Sequence, residues 1–198
     1  MFQNRRNLTN TMRKAFILGL VAFGASIFVA HGDIIPSLDS VTGSTPNFTW
    51  NYAANVTVNE TINTGDFFTI YDFSSIMPTT HNQPSGWTFS TALIGPTPSL
   101  VSPNDNASLW NVTWTYTGTS PIVGAHALGI FSVVASTDQL KMGQFTAEAT
   151  RSNDPTGTKI DNIGNVSVPV PESTSLLPLI GVCAAALFFA PRLRRQRA

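Results

Sequence analysis

Residues 110–117 read WNVTWTYT and show the most regular alternation of apolar and polar side chains in the chain. One phase of the alternation is apolar and carries Trp110, Val112, Trp114 and Tyr116. Because successive side chains of a strand point to opposite faces, this pattern predicts a half-buried antiparallel strand. We expect its aromatic face in a core and its asparagine- and threonine-rich face in solvent.

The same composition continues on both sides of this strand. Threonine, asparagine, serine, valine and aromatic residues dominate, glycine and proline interrupt them, and helical periodicity is almost absent. Strands are predicted at 56–62, 67–73, 87–93, 110–117, 128–135, 144–150 and 159–168, with a lead-in or edge strand at 33–43. About eight strands at hairpin-like spacing predict one all-β domain over residues 33–168. The expected architecture is an antiparallel β-sandwich of jelly-roll or immunoglobulin-like type.

The segments between these strands carry turn and loop signals. Turns are predicted at 63–66 and 154–157, and proline-containing loops at 77–86 and 95–106. In the strand at 67–73 (FFTIYDF) both faces are apolar enough to be covered, with Phe73 placed on the face opposite Phe68 and Ile70. In the strand at 56–62, Glu60 falls on the apolar phase, which predicts a position near a sheet edge.

The distribution of charge excludes several classes of function. The formal net charge is zero, but both ends are basic, whereas the middle has three bases and ten acids and a formal charge of minus seven. An acidic domain is unsuited to nucleic acid, which requires lysine and arginine at its phosphates. The only cysteine, Cys183, lies in the C-terminal apolar run, so a disulfide framework and a cysteine-built zinc site are excluded.

Residues 1–32 have the composition of a secretory signal. Arg13 and Lys14 precede an uncharged apolar run at 15–30, and Ala30 and Gly32 supply small residues at the positions that a signal peptidase reads. This predicts a signal helix that is cleaved after Gly32. The alternative is an uncleaved N-terminal membrane anchor.

Residues 169–198 combine a short motif, an apolar run and a basic end. The apolar run at 176–190 would give about 22 Å of helix, which is short for a bilayer core of roughly 30 Å, so a transmembrane helix would use flanking residues as well. Its basic end consists of Arg192, Arg194, Arg195 and Arg197. Basic residues outside both apolar runs favour the cytoplasm, so the acidic middle is expected to be exported. The tail is interpretable as a stop-transfer anchor, as a lipid-anchor signal that its basic end disfavours, or as a processed sorting signal.

The layout of this tail resembles the PEP-CTERM sorting signal of bacterial exosortase systems, in which Pro-Glu-Pro precedes a transmembrane helix and an arginine-rich end. The motif position is occupied by Val170, Pro171, Glu172 and Ser173, with Ser173 in place of the second proline. The resemblance implies recognition by a membrane-embedded, cysteine-dependent exosortase, removal of the tail, and release or attachment at the cell surface. Residues 65–73, 86–90, 95–98 and 111–118 are more loosely similar to uncharacterised extracellular domains with such tails, which implies secretion and a β-rich fold.

Aromatic residues are the main candidates for ligand contact in the middle of the chain. They could form a sugar-stacking platform, although their place on alternating strands favours core packing; they are Trp50, Trp87, Trp110, Trp114, Tyr52, Tyr71 and Tyr116. Trp87, which follows Gly86 at the end of a loop, is the best candidate for exposure and for sugar contact.

The candidate catalytic and metal-binding groups lack diagnostic spacing. Carboxylates could serve glycoside hydrolysis or calcium binding, but turn acids more often cap turns; those considered are Asp66, Asp72, Asp105, Asp154 and Asp161. His81 and His126 have no partner pattern. The six Asn-x-Ser/Thr triplets that begin at Asn47, Asn55, Asn59, Asn106, Asn111 and Asn165 are expected by chance in such a composition. We predict no catalytic residue, no metal and no cofactor.

These observations predict a non-enzymatic β-sandwich protein that is exported through the inner membrane and sorted to the outer surface or an exopolysaccharide matrix. Its expected partners are a signal peptidase, an exosortase-like membrane protease, the membrane during transit, and exopolysaccharide as a candidate ligand. The alternative is a secreted carbohydrate-binding module that uses exposed aromatic residues, and a glycosidase is less favoured than either.

Overall fold

The computed structural model describes residues 33–170, in which every regular element is a β-strand. The strands are β1 (Ile34–Ser44), β2 (Asn47–Val56), β3 (Glu60–Ile62), β4 (Phe67–Phe73), β5 (Ile76–Asn82), β6 (Trp87–Ala92), β7 (Trp110–Tyr116), β8 (Ile122–Val123), β9 (His126–Ala135), β10 (Leu140–Arg151) and β11 (Lys159–Pro169). The predicted signal segment 1–32 and the tail from residue 171 onward lie outside the described residues. Within residues 33–170 no helix has the length and apolar character needed to cross a membrane.

The strands form two antiparallel sheets. One sheet has four strands in the order β1-β2-β9-β5. The other has seven strands in the order β6-β7-β4-β10-β3-β8, with β11 paired to β10. The predicted all-β fold with antiparallel sheets is therefore confirmed, and it has more strands than the alternation in the sequence revealed.

Aromatic side chains join the two sheets and form the core. Phe131 on β9 lies edge-on to Phe68 on β4, with ring centroids 5.0 Å apart, and to Trp87 on β6 at 5.1 Å. Its ring is also 5.7 Å from that of Trp114 on β7. Such edge-to-face pairs add to the free energy gained by burial. Two faces of one β-sandwich thus meet through these rings, and the core position predicted for Trp114 is confirmed.

The first half of the predicted solvent face of β7 is buried instead. Asn111 is fully buried and Thr113 is 2% exposed, because the loop between β6 and β7 folds back across this face. The hydroxyl of Thr69 donates a hydrogen bond to the Pro96 carbonyl of that loop over 3.0 Å. The expectation of a solvent-exposed face was therefore wrong for Asn111 and Thr113, whereas Thr117 is exposed as predicted. Alternation identified the more apolar face but could not show that the other face is covered.

The predicted strand at 56–62 is divided by a turn. β2 ends at Val56, β3 begins at Glu60, and Val58 between them is 67% exposed. Glu60 is only 2% exposed, and its carboxylate accepts a hydrogen bond from the hydroxyl of Thr57. β3 lies between β10 and the two-residue edge strand β8, so the predicted position of Glu60 near a sheet edge is confirmed, although its side chain is buried.

Residues 77–86, predicted as a loop, contain most of β5. This strand pairs with β9 on one side and is an edge strand of its sheet. The register shifts between Met77 and His81, around Pro78. Edge strands and bulges are where proline is tolerated, because the missing N–H is not required by a second neighbour.

A second irregularity moves Phe73 to the core face of β4. Asp72 has a φ of 56°, and the pairing of β4 with β7 shifts register between Ile70 and Phe73. Phe73 therefore packs on Trp50 and Tyr52, with ring centroids 5.9 Å and 6.3 Å away. Its predicted place opposite Phe68 and Ile70 was wrong because a strand with such a bulge loses its strict two-residue period.

Replacement of Phe131 by alanine is expected to lower the free energy of unfolding by about 3–5 kcal/mol, because it leaves a cavity between the sheets. Urea denaturation followed by tryptophan fluorescence measures the change. Val58→Ala is the matched control on an exposed turn and should change stability by less than about 0.5 kcal/mol. Equal effects of the two substitutions would contradict the role given to Phe131.

Candidate functional site

Trp87, the predicted sugar contact, lies inside the protein. It is 5% exposed and packs on Phe68, Tyr116 and Phe131, with ring centroids 6.0, 5.3 and 5.1 Å away. The prediction that Trp87 is exposed was therefore wrong. The turn before β6, in which the Trp87 amide donates to the Pro84 carbonyl over 3.3 Å, directs the side chain inward.

The other candidate aromatics do not form an exposed platform within residues 33–170. Four of the side chains are fully buried: Trp50, Trp114, Tyr52 and Tyr71. Trp110, predicted to face the core, is 42% exposed at the beginning of β7. One partly exposed ring offers too little apolar surface for the proposed stacking site, so the preference for core packing is confirmed for the buried set.

Val170 is the one residue of the predicted processing motif that the structure describes, and it follows β11 directly. Its amide donates to the Gln139 carbonyl over 2.8 Å, and the hydroxyl of Ser74 donates to the Pro169 carbonyl over 2.7 Å. The phenol of Tyr52 donates to the Ser167 carbonyl over 2.9 Å. The hydrogen-bonded fold thus extends to the first residue of the motif. The other predicted processing residues lie outside the described range: Pro171, Glu172, Ser173, Arg192, Arg194, Arg195, Arg197, Ala30 and Gly32.

Asp66 is the centre of a buried polar cluster. Its carboxylate is fully buried and accepts hydrogen bonds from the Asn63 amide over 2.8 Å and from the Thr150 hydroxyl over 3.1 Å. The Lys159 ammonium also donates to it, and Glu148 lies 3.6 Å from the same ammonium. Partial burial raises the pKa of Glu148, whereas the charge of Lys159 acts in the opposite direction. The cluster closes the turn at 63–66 onto the β10–β11 hairpin.

The other candidate carboxylates also hold loops in place. Asp72 accepts from the Asn106 amide over 2.9 Å, and Asp161 accepts from the Leu100 amide over 2.8 Å. Asp105 accepts from the side-chain amide of Asn111, and Asp154 from the amide of Thr156 over 2.8 Å. Hydrogen bonds from Thr156 and Thr158 lower the pKa of Asp154. The prediction that turn acids cap turns is confirmed for Asp66 and Asp154. Asp72 and Asp161 instead lie in strands and accept from loop amides 34 and 61 residues away.

The two histidines are separated and have ordinary surroundings. The ring of His81 stacks on Phe89 with centroids 4.3 Å apart, and His126 donates to the Gly124 carbonyl over 3.2 Å. Within residues 33–170 no group of histidine, aspartate and glutamate side chains is arranged to hold a metal ion.

The buried hydrogen bonds of Tyr71 and the burial of Asp33 were not predicted from the sequence. The hydroxyl of Tyr71 is hydrogen-bonded to Thr97 over 2.7 Å and to Thr146 over 2.9 Å, and burial raises its pKa. Asp33 is fully buried, and its Oδ1 accepts from the Ile34 amide over 2.7 Å. Its Oδ2 has no hydrogen-bond partner among the described residues.

The environment of Asp33 favours its protonated form. Burial raises the pKa of Asp33 to about 8, against the lowering effect of the Ile34 amide. The negative charges of Asp66, Glu60 and Asp161 act in the same direction as burial. Its position immediately before Ile34 and Ile35 was the only sign in the sequence that this acid enters the core.

Comparison with family models and with curated proteins gives no match. No protein-family model matches the chain, and no curated protein matches it. The function proposed for it therefore rests on the sequence pattern and on the geometry of residues 33–170.

Replacement of Lys159 by methionine should destabilise the domain by about 1–3 kcal/mol, because the buried Asp66 carboxylate loses a charged donor. Thermal and urea unfolding measure the loss. Lys141→Met removes the same charge from β10, where no acid pairs with it among the described residues, and is expected to be nearly neutral. A larger loss of stability in the Lys141 variant than in the Lys159 variant would contradict the role given to Lys159 as the charged partner of Asp66.

Replacement of Asp33 by asparagine should change how stability depends on pH. Because the folded pKa of Asp33 is raised from 3.8 to about 8, the folded state binds this proton more tightly than the unfolded state. The contribution of the protonated Asp33 carboxyl to the free energy of unfolding is therefore fully present below about pH 4, and it is lost as the pH rises to about 8.

We expect Asp33→Asn to remove this decline, so that the variant exceeds the parent in stability at pH 8 and approaches it at pH 4. Urea denaturation at pH 4, 6 and 8 measures the difference in a chain that retains the residues before Asp33. Asp39→Asn, at an exposed position, is the control and should leave the pH dependence unchanged. An unchanged pH dependence in the Asp33 variant would show that its carboxyl is not protonated in the fold.

Proposed function

We propose that this chain is a non-enzymatic exported β-sandwich protein of bacteria, sorted by an exosortase-type system to the cell surface or an exopolysaccharide matrix. The observation that carries the proposal is the layout of residues 169–198, with a Val-Pro-Glu-Ser motif, an apolar run and an arginine-rich end. In this proposal the N-terminal signal and the C-terminal run form membrane helices. A signal peptidase and an exosortase-like protease act on them in turn, during an inner-membrane stage that precedes release.

The surroundings of Asp33 support cleavage after Gly32 over an uncleaved anchor. Cleavage there makes Asp33 the first residue and places an α-ammonium group beside its buried carboxyl. Oδ2 of that carboxyl lacks a hydrogen-bond partner among the described residues, and the charges of Asp66 and Glu60 act on it. A positive charge at this point would stabilise the ionised carboxylate and offset the cost of its burial.

The end of β11 supports processing at the motif. The last described hydrogen bonds are made by Ser167, Pro169 and Val170, all of which precede the Pro171–Glu172 pair. Removal of the tail beyond the motif would therefore leave in the mature domain the hydrogen bonds that β11 and Val170 make within residues 33–170.

The hydrogen bonds of the candidate carboxylates support a structural role for them rather than a catalytic one. Asp66, Asp72, Asp105, Asp154 and Asp161 each accept hydrogen bonds that fix a loop or turn. A catalytic acid pair requires two carboxyl groups that share access to a substrate. The alternative of a carbohydrate-binding module built on exposed aromatics loses its principal residue, because Trp87 is buried.

The sorting proposal is tested by the termini of the mature protein. In a host with an exosortase, mass spectrometry of the surface and secreted fractions should find a first residue at Asp33 and no peptide beyond about Ser173. Deletion of the exosortase should retain the uncut chain in the membrane fraction. Glu172→Ala should have the same effect, because it alters the motif, whereas Ser175→Ala outside the motif should be processed normally.

Recovery of an intact arginine-ended tail in the mature protein would overturn the proposal. Processing that is equally efficient with and without the exosortase would also overturn it. Retention of residues 1–32 would contradict the signal cleavage alone, since the two cuts are made by different enzymes.

A further inference from the structure

An open cavity of about 470 Å³ lies where the β10–β11 hairpin turns beside β3. Its lining includes Thr61 from β3, Thr150 and Arg151 from the end of β10, and the following turn. Asn63 and Asn153 belong to the same lining. The volume is within the range of about 300–1,000 Å³ that is usual for small-molecule sites.

Hydrogen bonds to buried or neighbouring side chains hold the polar residues of the lining in place. The hydroxyl of Thr150 is bonded to Asp66, and that of Thr61 lies 2.9 Å from the hydroxyl of Ser152. Asp66 also accepts from the backbone amide of Asn63 over 2.8 Å. The buried Asp66 cluster therefore fixes the strand ends and the turn from which the lining side chains extend.

Three of the lining side chains have unused hydrogen-bonding groups. Among the described residues, the guanidinium of Arg151 pairs with no acid, and the side-chain amides of Asn63 and Asn153 form no hydrogen bond. Lys159, the neighbouring cation, is different because it is committed to Asp66 and Glu148. The cavity thus has a free cation and two free amides beside Thr61 and Thr150, whose hydroxyls are held by hydrogen bonds.

These groups match one chemical class of ligand. A guanidinium offers paired donors in a plane, which fit the two oxygens of a carboxylate. A side-chain amide has both donors and an acceptor, as required by hydroxyl groups that donate and accept. A ligand that carries one carboxylate among several hydroxyls would satisfy Arg151 together with Asn63 and Asn153.

Asp154, the acid in the lining, does not neutralise Arg151. Its carboxylate accepts hydrogen bonds from the amide and the hydroxyl of Thr156, over 2.8 Å and 2.5 Å, and is held toward its own turn. It remains an acceptor for a hydroxyl group. The balance of one cation and one acid disfavours a phosphorylated ligand with two negative charges, which would require further cations.

We propose that this cavity binds a uronic acid residue of an acidic polysaccharide, with Arg151 at the sugar carboxylate and Asn63 and Asn153 at its hydroxyls. The inference deepens the proposed function and rests on it for the source of the sugar, since only an exported domain meets extracellular polysaccharide. It differs from binding through exposed aromatics in both its site and its ligand, because charge and amide groups replace a stacking ring.

Binding is tested by saturation-transfer NMR with trigalacturonate and the full 198-residue chain in a non-ionic detergent. The methyl ester of trigalacturonate keeps the hydroxyls without the charge, and acetate keeps the carboxylate without the hydroxyls. We expect the acid to bind more tightly than either. Arg151→Gln should weaken binding roughly tenfold or more, because it removes a charge-assisted hydrogen bond.

Two further variants make the result specific to the cavity. Lys141→Gln removes an equally unpaired cation outside the cavity lining and should leave the affinity unchanged. Asn153→Gly keeps the positive φ of 60° at that position, removes the amide, and should weaken binding without loss of the fold.

The proposal is overturned if trigalacturonate does not bind, if its methyl ester binds equally well, or if the Arg151 and Lys141 variants lose the same affinity. Each of these results concerns the cavity alone. Analysis of the two termini reports separately on sorting, so failure of one proposal is distinguishable from failure of the other.

Discussion

The contact of Phe131 with Phe68, Trp87 and Trp114 is the interaction on which the rest of the structure depends. Phe131 is the aromatic residue through which the four-stranded sheet meets three rings of the seven-stranded sheet. The chain has one cysteine, Cys183, outside the described domain, so no disulfide joins the sheets there. Burial and ring packing between the faces must therefore offset the entropy lost on ordering long strands and loops.

The sequence predicted those parts of the fold whose pattern lies within a single strand or turn, and it did not predict those that depend on residues far along the chain. The alternation at 110–117 and 144–150 located β7 and β10, because each strand has one face in the core and carries its pattern in its own residues. The burial of Asn111 and Thr113 could not be predicted, because the loop that covers them pairs Thr69 with Pro96, 27 residues away. β5 was missed for a related reason, since Pro78 signals a loop unless the strand is known to lie at an edge.

The same distinction separates the predicted site residues from the missed ones. Turn chemistry is local, so the capping role of Asp66 could be predicted from Asn63-Thr64-Gly65-Asp66. Its partner Lys159 lies 93 residues farther along the chain and could not. Burial of Asp33 likewise depends on distant strands. Trp87 was misplaced because a glycine before a tryptophan suggests a loop end, whereas the turn at Pro84 directs the ring into the core.

Two of the three cations of this acidic domain, Lys159 and Arg151, have different surroundings. Lys159 lies within reach of Asp66 and Glu148, so its charge stabilises the fold. Arg151 extends from the neighbouring strand end, yet it forms no ion pair among residues 33–170, although those residues contain ten acids. Thr156 holds the carboxylate of Asp154 toward its own backbone, and the carboxylate of Glu60, which lies opposite Arg151 in the register of β10 and β3, accepts from the hydroxyl of Thr57. The guanidinium of Arg151 is therefore available for a ligand in the cavity beside the β10–β11 turn.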